Sequence, residues 1–281
     1  MRALPATVLV VCGLIASACG GTEPGGVAAG QAASSAQAPA QPPAQDGPTE
    51  GTPAQQAPPD AKPLKGKIVV IDPGHNGGNY RNPKAINRKV NVLTQWKACD
   101  TTGTATNNGY SEAAFTWDVS NRMAKILKGR GATVKLTRSD NDSVGPCITQ
   151  RAAIGNKAGA DAAISVHADG AAPAGHGFHV IIPKKINGPV DKVVAPSTEL
   201  GLAVRDAFAK GTGLPYSTYV GSKALSFRND LGGLNLSTVP KIFVECGNMR
   251  NAADAAKFQD PKFRQRIALA LANGMQHYLE A

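Results

Sequence analysis

Lys67-Ile-Val-Val-Ile-Asp-Pro-Gly-His-Asn-Gly-Gly78 is the stretch whose reading decides the fold. Ile68 to Ile71 form an unbroken apolar run, too short for a core helix and suited to a strand buried on both faces. Pro73 and Gly74 then turn the chain and present the single imidazole of His75 at the strand's end. Downstream the pattern recurs. Thr133–Thr137, Ala162–Val166, Gly177–Ile182 and Lys241–Glu245 read as further strands, with helical patterns over 111–129, 148–158, 197–210 and 261–279. This alternation predicts an α/β fold: a single three-layer αβα domain with a mixed, mostly parallel sheet flanked by helices.

The helix at 111–129 has Phe115, Val119, Met123, Ile126 and Leu127 at helical spacing, Ser111 placed to cap its start, and Gly129 and Gly131 to end it. The last helix is amphipathic through Phe263, Ile267, Leu271, Met275 and Tyr278, which suits it to closing one face of the sheet.

Residues 1–18 begin with one cation, Arg2, then run uncharged and apolar to Ala16-Ser17-Ala18, the small-residue pattern of a secretion-signal cleavage site. The run is too short to span a bilayer, so no transmembrane helix is expected. Cys19 stands where a lipoprotein carries its acyl chains, but Ala16 replaces the usual branched residue, and lipid-anchored and freely secreted readings both stay open. From 19 to 64 the chain is Pro, Ala and Gln rich with no periodic apolar face, the composition of a disordered linker. The folded domain is expected over 65–281. A monomer is the default reading, and the exported chain is placed in the periplasm, cell wall or extracellular space.

The formal net charge of +10 suits an anionic, extended partner. Nucleic acid is not supported, because no basic run is interleaved with aromatics. An anionic cell-wall polymer fits better, and ordinary solubilising charge explains the balance equally well. Export permits disulfides, and Cys99 and Cys147 both lie in polar loop sequence. They are predicted to pair and to pin a long insertion from about Asn79 to Tyr110, which also carries Trp96. Cys246 continues an apolar strand and reads as a buried free thiol.

Three residues carry chemistry. His75 and His167 each follow an apolar strand, and Glu112 lies in the first turn of the 111–129 helix. Any one alone is weak, since a strand-end His is often an ordinary edge residue and a first-turn Glu often serves the helix dipole. Two imidazoles and one carboxylate with an open fourth position make the ligand set of a catalytic zinc site.

Together and in this order, IDPGHNGG, SEAAFTWDVSNRMAKIL, QRAAIGNKAGADAAISVHAD and VPKIFVECGNMRN resemble the type 3 N-acetylmuramoyl-L-alanine amidase family over about residues 66 to 280. The resemblance implies one zinc ion per chain held by His75, Glu112 and His167, with Glu245 as catalytic acid/base. It implies zinc-dependent hydrolysis of the amide between N-acetylmuramic acid and L-alanine, in peptidoglycan or muropeptide fragments. The family's E-x-G-F pattern is broken by Asn248 at the aromatic position, which leaves the shape of that pocket wall open. The autoinhibitory helix of some relatives has no clear equivalent, so an accessible site is expected.

His176 and His179 could look like a second metal pair, but a spacing of three along a strand puts them on opposite faces and favours non-ligand roles. Arg228, Asn229 and Asp230 stand either as contacts to the stem peptide or as a solvated loop. Two other functions compete: a zinc exopeptidase or carboxypeptidase on ordinary peptides, and a wall-binding module without catalysis.

Overall fold

The structure, a computed structural model, describes residues 62–281. The expected signal peptide, Cys19 and nearly all of the expected linker lie outside the described residues. Leu64, at the linker's expected end, is fully buried in the main core and donates its amide to the Arg130 carbonyl at 2.9 Å. The folded domain therefore includes Leu64.

Among the described residues the chain runs β1 (Ile68–Pro73), α1 (Pro83–Ile86), β2 (Lys89–Asn91), β3 (Trp96–Ala98), α2 (Glu112–Gly129), β4 (Thr133–Leu136), α3 (Ile148–Ala158), β5 (Ala162–Asp169) and β6 (His179–Pro183). It continues through α4 (Val194–Thr212), β7 (Leu225–Arg228), α5 (Gly232–Asn235), β8 (Lys241–Asn248), α6 (Ala252–Gln259) and α7 (Pro261–Glu280). Six strands form one sheet in the order β4-β1-β5-β8-β6-β7, and β2 with β3 form a separate hairpin. β4, β1, β5 and β8 are mutually parallel, while β6 runs antiparallel to β8 and carries β7 parallel to itself. The expected mixed, mostly parallel sheet flanked by helices is what the chain forms.

Strand periodicity divides the sheet's residues between two unlike faces. Val69, Ile71, Ile164, Val166, Ile242, Val244, Val180 and Ile182 share one apolar core with Phe115 and Val119 of α2, Leu200 and Val204 of α4 and Ile267 and Leu271 of α7. On the other face α3 buries a smaller cluster, Val70, Ala163 and Val239 with Ile154 and Ala158. Mainly polar residues in register continue that second face, with Phe243 among them: Asp72 opposite Ser165, Ser165 opposite Phe243, His167 opposite Glu245, and Glu245 opposite His179.

Asp72 is the hub beneath this face. It accepts from Thr137 Oγ1 at 2.6 Å, Ser165 Oγ at 2.6 Å, Arg151 Nη1 at 2.9 Å and Lys241 Nζ at 3.2 Å, tying β1 to β5, β8, α3 and the end of β4. Burial opposes its charge, yet Lys241, Arg151 and the two hydroxyls hold the carboxyl well below the usual carboxylate range.

The insertion is pinned as expected by a disulfide between Cys99 and Cys147, 48 residues apart. Cys147 caps α3 and Cys99 follows the hairpin, so the bond ties the hairpin to the helix that supplies Arg151. Cys246 is buried and free. The hairpin, β7 and the short helices α1, α5 and α6 were not foreseen. β5 and β8 also run on to Asp169 and Asn248, so His167 and Glu245 sit inside strands and not at their ends.

Two stability measurements follow. Asp72→Asn leaves Arg151 and Lys241 buried without their shared partner and should cost about 3–5 kcal/mol at neutral pH by urea denaturation. Because the folded-state pKa is depressed, the contribution is complete above the unfolded value of about 4 and is lost as pH falls through the folded one. The gap between wild type and variant should therefore close in acid. Replacing Cys99 and Cys147 together by Ser should cost roughly 2–4 kcal/mol in the same assay; an unchanged midpoint would mean that the bond constrains nothing.

Candidate metal centre and active-site groove

His75 occupies the turn after β1 with a φ of 60°, in the left-handed region that non-glycine residues rarely adopt. Two buried arginines hold that turn. Arg151 donates to the Pro73 carbonyl at 2.7 Å and the His75 carbonyl at 2.9 Å, and Arg138 Nε donates to the Pro73 carbonyl at 3.1 Å. Both give a buried carbonyl a charged donor, which is the stronger kind of hydrogen bond. Neither arginine was anticipated; for Arg151 the signal available was an arginine in an apolar helical segment with no acidic residue close in sequence.

Glu112 is the first residue of α2, after Ser111, whose hydroxyl accepts from the Ala114 amide as the cap assignment anticipated. Its Oε2 accepts from the Thr104 amide at 2.9 Å and its Oε1 from the Ala168 amide at 3.2 Å. These bonds aim the carboxylate between two imidazoles. Oε2 stands 3.1 Å from His75 Nε2 and Oε1 stands 3.0 Å from His167 Nδ1. Burial alone would raise the Glu112 carboxyl, but His75 and His167 hold it well below the usual carboxylate range. 

Burial disfavours that ionised state, and the paired imidazoles outweigh it. His75 Nδ1 lies 3.1 Å from the Thr101 carbonyl and 3.6 Å from Asp100 Oδ1, so the insertion orients the ring whose other nitrogen meets Glu112. Burial would lower the His75 pKa, but the Glu112 and Asp100 carboxylates push it up to about 10.

The ligand atoms of His75, Glu112 and His167 all lie within 4.8 Å of one another, a group that could hold a metal ion. Donors bound tetrahedrally to a zinc ion at about 2.0–2.1 Å stand roughly 3.3 Å apart, close to both His–Glu separations here, so the donor set fits in chemistry and in span. Two glycines make room for it. A Cβ on Gly74 would come 2.3 Å from His167 Cε1, and one on Gly103, whose φ is 74°, would come 2.8 Å from His75 Cδ2 and 2.9 Å from Glu112 Oε2.

Glu245 lies beside His167 on the next strand. Its Oε2 is sealed from solvent and has no hydrogen-bond partner among the described residues. Burial, then the Asp169 and Glu112 carboxylates, push its pKa well above the ordinary value. A carboxyl poised in this way suits proton transfer. Three neighbours went unforeseen in this role. Asp169 accepts from Tyr219 Oη at 2.8 Å and stands 3.6 Å from His179 Nδ1. His179 is buried beside Glu245, and burial, helped by Arg228, pushes it down to about 4, so it stays neutral at physiological pH. His176 lies in the loop before β6 and outside the strand, so the expected opposite-face relation does not arise.

The metal-type cluster, Glu245, Asp169 and Arg228 line a cavity of about 290 Å³. A second cavity of about 230 Å³, lined by Ile148, Gly232, Gly233, Lys97 and Arg151, shares His75, Thr101, His167, Leu231 and Phe243 with the first. The two cavities adjoin at these shared residues, with both histidines in the lining of each. Asn248, at the position where an aromatic residue was expected, is buried and donates to the Ala172 and Gly175 carbonyls at 2.9 and 2.7 Å. It fastens the loop after Asp169. Arg228 closes β7 and so belongs to the sheet, not to a solvated loop.

Residues 69–277 match the family model described as N-acetylmuramoyl-L-alanine amidase. The N-acetylmuramoyl-L-alanine amidase Rv3717 of Mycobacterium tuberculosis is 38% identical over 218 residues, covering 77% of this chain and 88% of its own length. Among solved structures, the N-acetylmuramyl-L-alanine amidase Ami1 of Mycobacterium smegmatis superposes with a TM-score of 0.73 at 38% identity, over 77% of this chain and 98% of that one. The apo form of Ami1 from Mycobacterium abscessus gives 0.72 at 42% identity, over 77% and 100%.

The tight approach at Gly74 yields a test. Gly74→Ala should displace the His167 ring and weaken zinc affinity by about 10–100-fold, the usual scale for disturbing a ligand's support. Equilibrium dialysis would show it, and wild-type affinity in a folded variant would contradict the geometry.

Proposed function

The chain belongs to the N-acetylmuramoyl-L-alanine amidase family, and from that premise we propose that it hydrolyses the amide between N-acetylmuramic acid and L-alanine using one zinc ion held by His75, Glu112 and His167. Family membership supports the reaction, and the convergence of two imidazoles and a carboxylate supports the metal. That convergence is the single observation that carries the proposal.

A zinc ion in this donor set supplies Lewis acidity toward an amide carbonyl and toward water. The chain's own residues do the rest. Asp100 and the Thr101 carbonyl fix the His75 ring, and the Thr104 and Ala168 amides fix Glu112. Glu245 takes the proton of the attacking water and hands it to the departing nitrogen of L-alanine. Its raised pKa favours taking the proton, and its position on β8, opposite His167 on β5, brings the carboxyl to the same site. The two adjoining cavities have room for the sugar-bearing acyl group and the peptide.

The substrate places the enzyme's work at the cell wall, in keeping with the signal-like first residues. A curated relative at 24% identity over 224 residues, LytH of Staphylococcus aureus, carries the name of a probable cell wall amidase. Among the described residues no helix is long and apolar enough to cross a membrane. We place the chain outside the cytoplasm as a monomer, with Cys19 as the point at which lipid anchoring would be decided.

Glu245→Gln keeps the side chain's size but removes its capacity to carry the proton. Incubated with a muropeptide and zinc, it should retain the metal while turnover falls by about 10²–10⁴. Chromatographic detection of the released stem peptide reads the rate, and elemental analysis reads the zinc. Undiminished turnover would remove Glu245 from the mechanism.

A further inference from the structure

Arg228 shares the cavity of the metal-type cluster but makes no hydrogen bond to any carboxylate there. Its Nε and Nη2 donate to Asp230 Oδ1 and Oδ2 at 2.8 and 2.7 Å, and Asp230 Oδ2 also receives Lys97 Nζ at 3.2 Å. One edge of the guanidinium is therefore locked, while Nη1 has no acceptor among the described residues. Two cations against one carboxylate leave this group with a net positive charge, and the Arg228 side chain remains 40% exposed. An arginine held by one edge presents its remaining donors as a preformed fork, the arrangement that matches a carboxylate.

Its place in the sheet sets which carboxylate it meets. Arg228 pairs with Pro183 at the far end of β6, whereas Glu245 pairs with His179 at the start of that strand. The backbone positions are separated by four residues along the strand and two strands across, roughly 13 and 10 Å. Arginine and glutamate side chains reaching toward each other close part of that gap, which leaves Arg228 beyond the scissile bond and suited to a group further along the substrate. The Cα of the residue after L-alanine lies about 3.8 Å beyond that of L-alanine, so the carboxyl group it carries extends several ångströms past the leaving nitrogen, within the cavity that Glu245 and Arg228 both line.

We propose that Arg228, braced by Asp230 and Lys97, is a specificity residue that binds the free carboxylate of an acidic second residue in the stem peptide. The inference rests on the amidase reading for the identity of the substrate. An alternative role for the same cation, stabilising negative charge developing at the scissile carbonyl, separates from it in the kinetics.

The test uses the full-length zinc-reconstituted protein with two dipeptides, L-alanyl-D-glutamate and its α-amide, and with the two corresponding muramoyl dipeptides. Calorimetry should show wild type binding the free acid more tightly than the amide. Arg228→Gln should weaken binding of the acid about 10–100-fold and leave the amide nearly unchanged, as expected for a hydrogen bond to a charged group. With the muramoyl substrates the same variant should raise KM for the acid and leave kcat within a few-fold, and Arg228→Lys should restore part of the loss. Equal affinity of wild type for acid and amide, an equal loss on both, or a loss confined to kcat would overturn the proposal. The binding arm reports on Arg228 even if neither muramoyl dipeptide is cleaved, and that lack of cleavage would count against the amidase reading instead.

Discussion

A single buried carboxylate, Asp72, ties the functional face of this sheet together. It receives a guanidinium, an ammonium and two hydroxyls from four separate segments, all within 3.2 Å. Removing such an anion leaves its cations buried and unpaired, which costs far more than the intact pair contributes. The same Arg151 that neutralises Asp72 also bonds the carbonyls of Pro73 and His75 and the carboxylate of Asp100. The electrostatics that hold β1 in the sheet thus also hold the strained turn that carries His75.

The two faces of the sheet have separate duties. One is apolar and welded to α2, α4 and α7, so it supplies the stability of the domain. The other leaves Ser165, His167, Phe243, Glu245 and His179 in register across adjacent strands, with α3 and the disulfide-pinned insertion around them. Rigid strands fix the spacing of His167 and Glu245, whereas His75 and Glu112 come from a turn and a helix start whose backbone groups are independently braced, the His75 carbonyl by Arg151 and the Glu112 amide by the Thr104 carbonyl. Support of this kind keeps side chains preorganised for chemistry.

Much of this was legible in the chain itself. The apolar runs at Ile68–Ile71 and Ala162–Val166 are strands, Ser111 caps α2, and Cys99 pairs with Cys147. His75, Glu112 and His167 could be singled out because each stands beside a local break in an otherwise periodic segment. What stayed hidden depends on distant partners. Asp72 looked like the end of a strand, since Arg151 and Lys241 lie 79 and 169 residues away in sequence. β7 is only four residues long and takes its extended form from pairing with β6, so Leu225–Arg228 lacked a periodicity to reveal it, and with it the place of Arg228. Asn248 reads as a departure from the family pattern, yet it serves the loop behind Asp169 and leaves the groove untouched.

The central claim is that one metal ion binds where the turn after β1, the start of α2 and β5 converge. Anomalous diffraction at the zinc edge, from crystals of the zinc-loaded protein, tests it most directly. The account predicts one strong peak between His75 Nε2, the Glu112 carboxylate and His167 Nδ1. A peak elsewhere, such as beside Cys246 or between His176 and His179, with none at the triad, would contradict it.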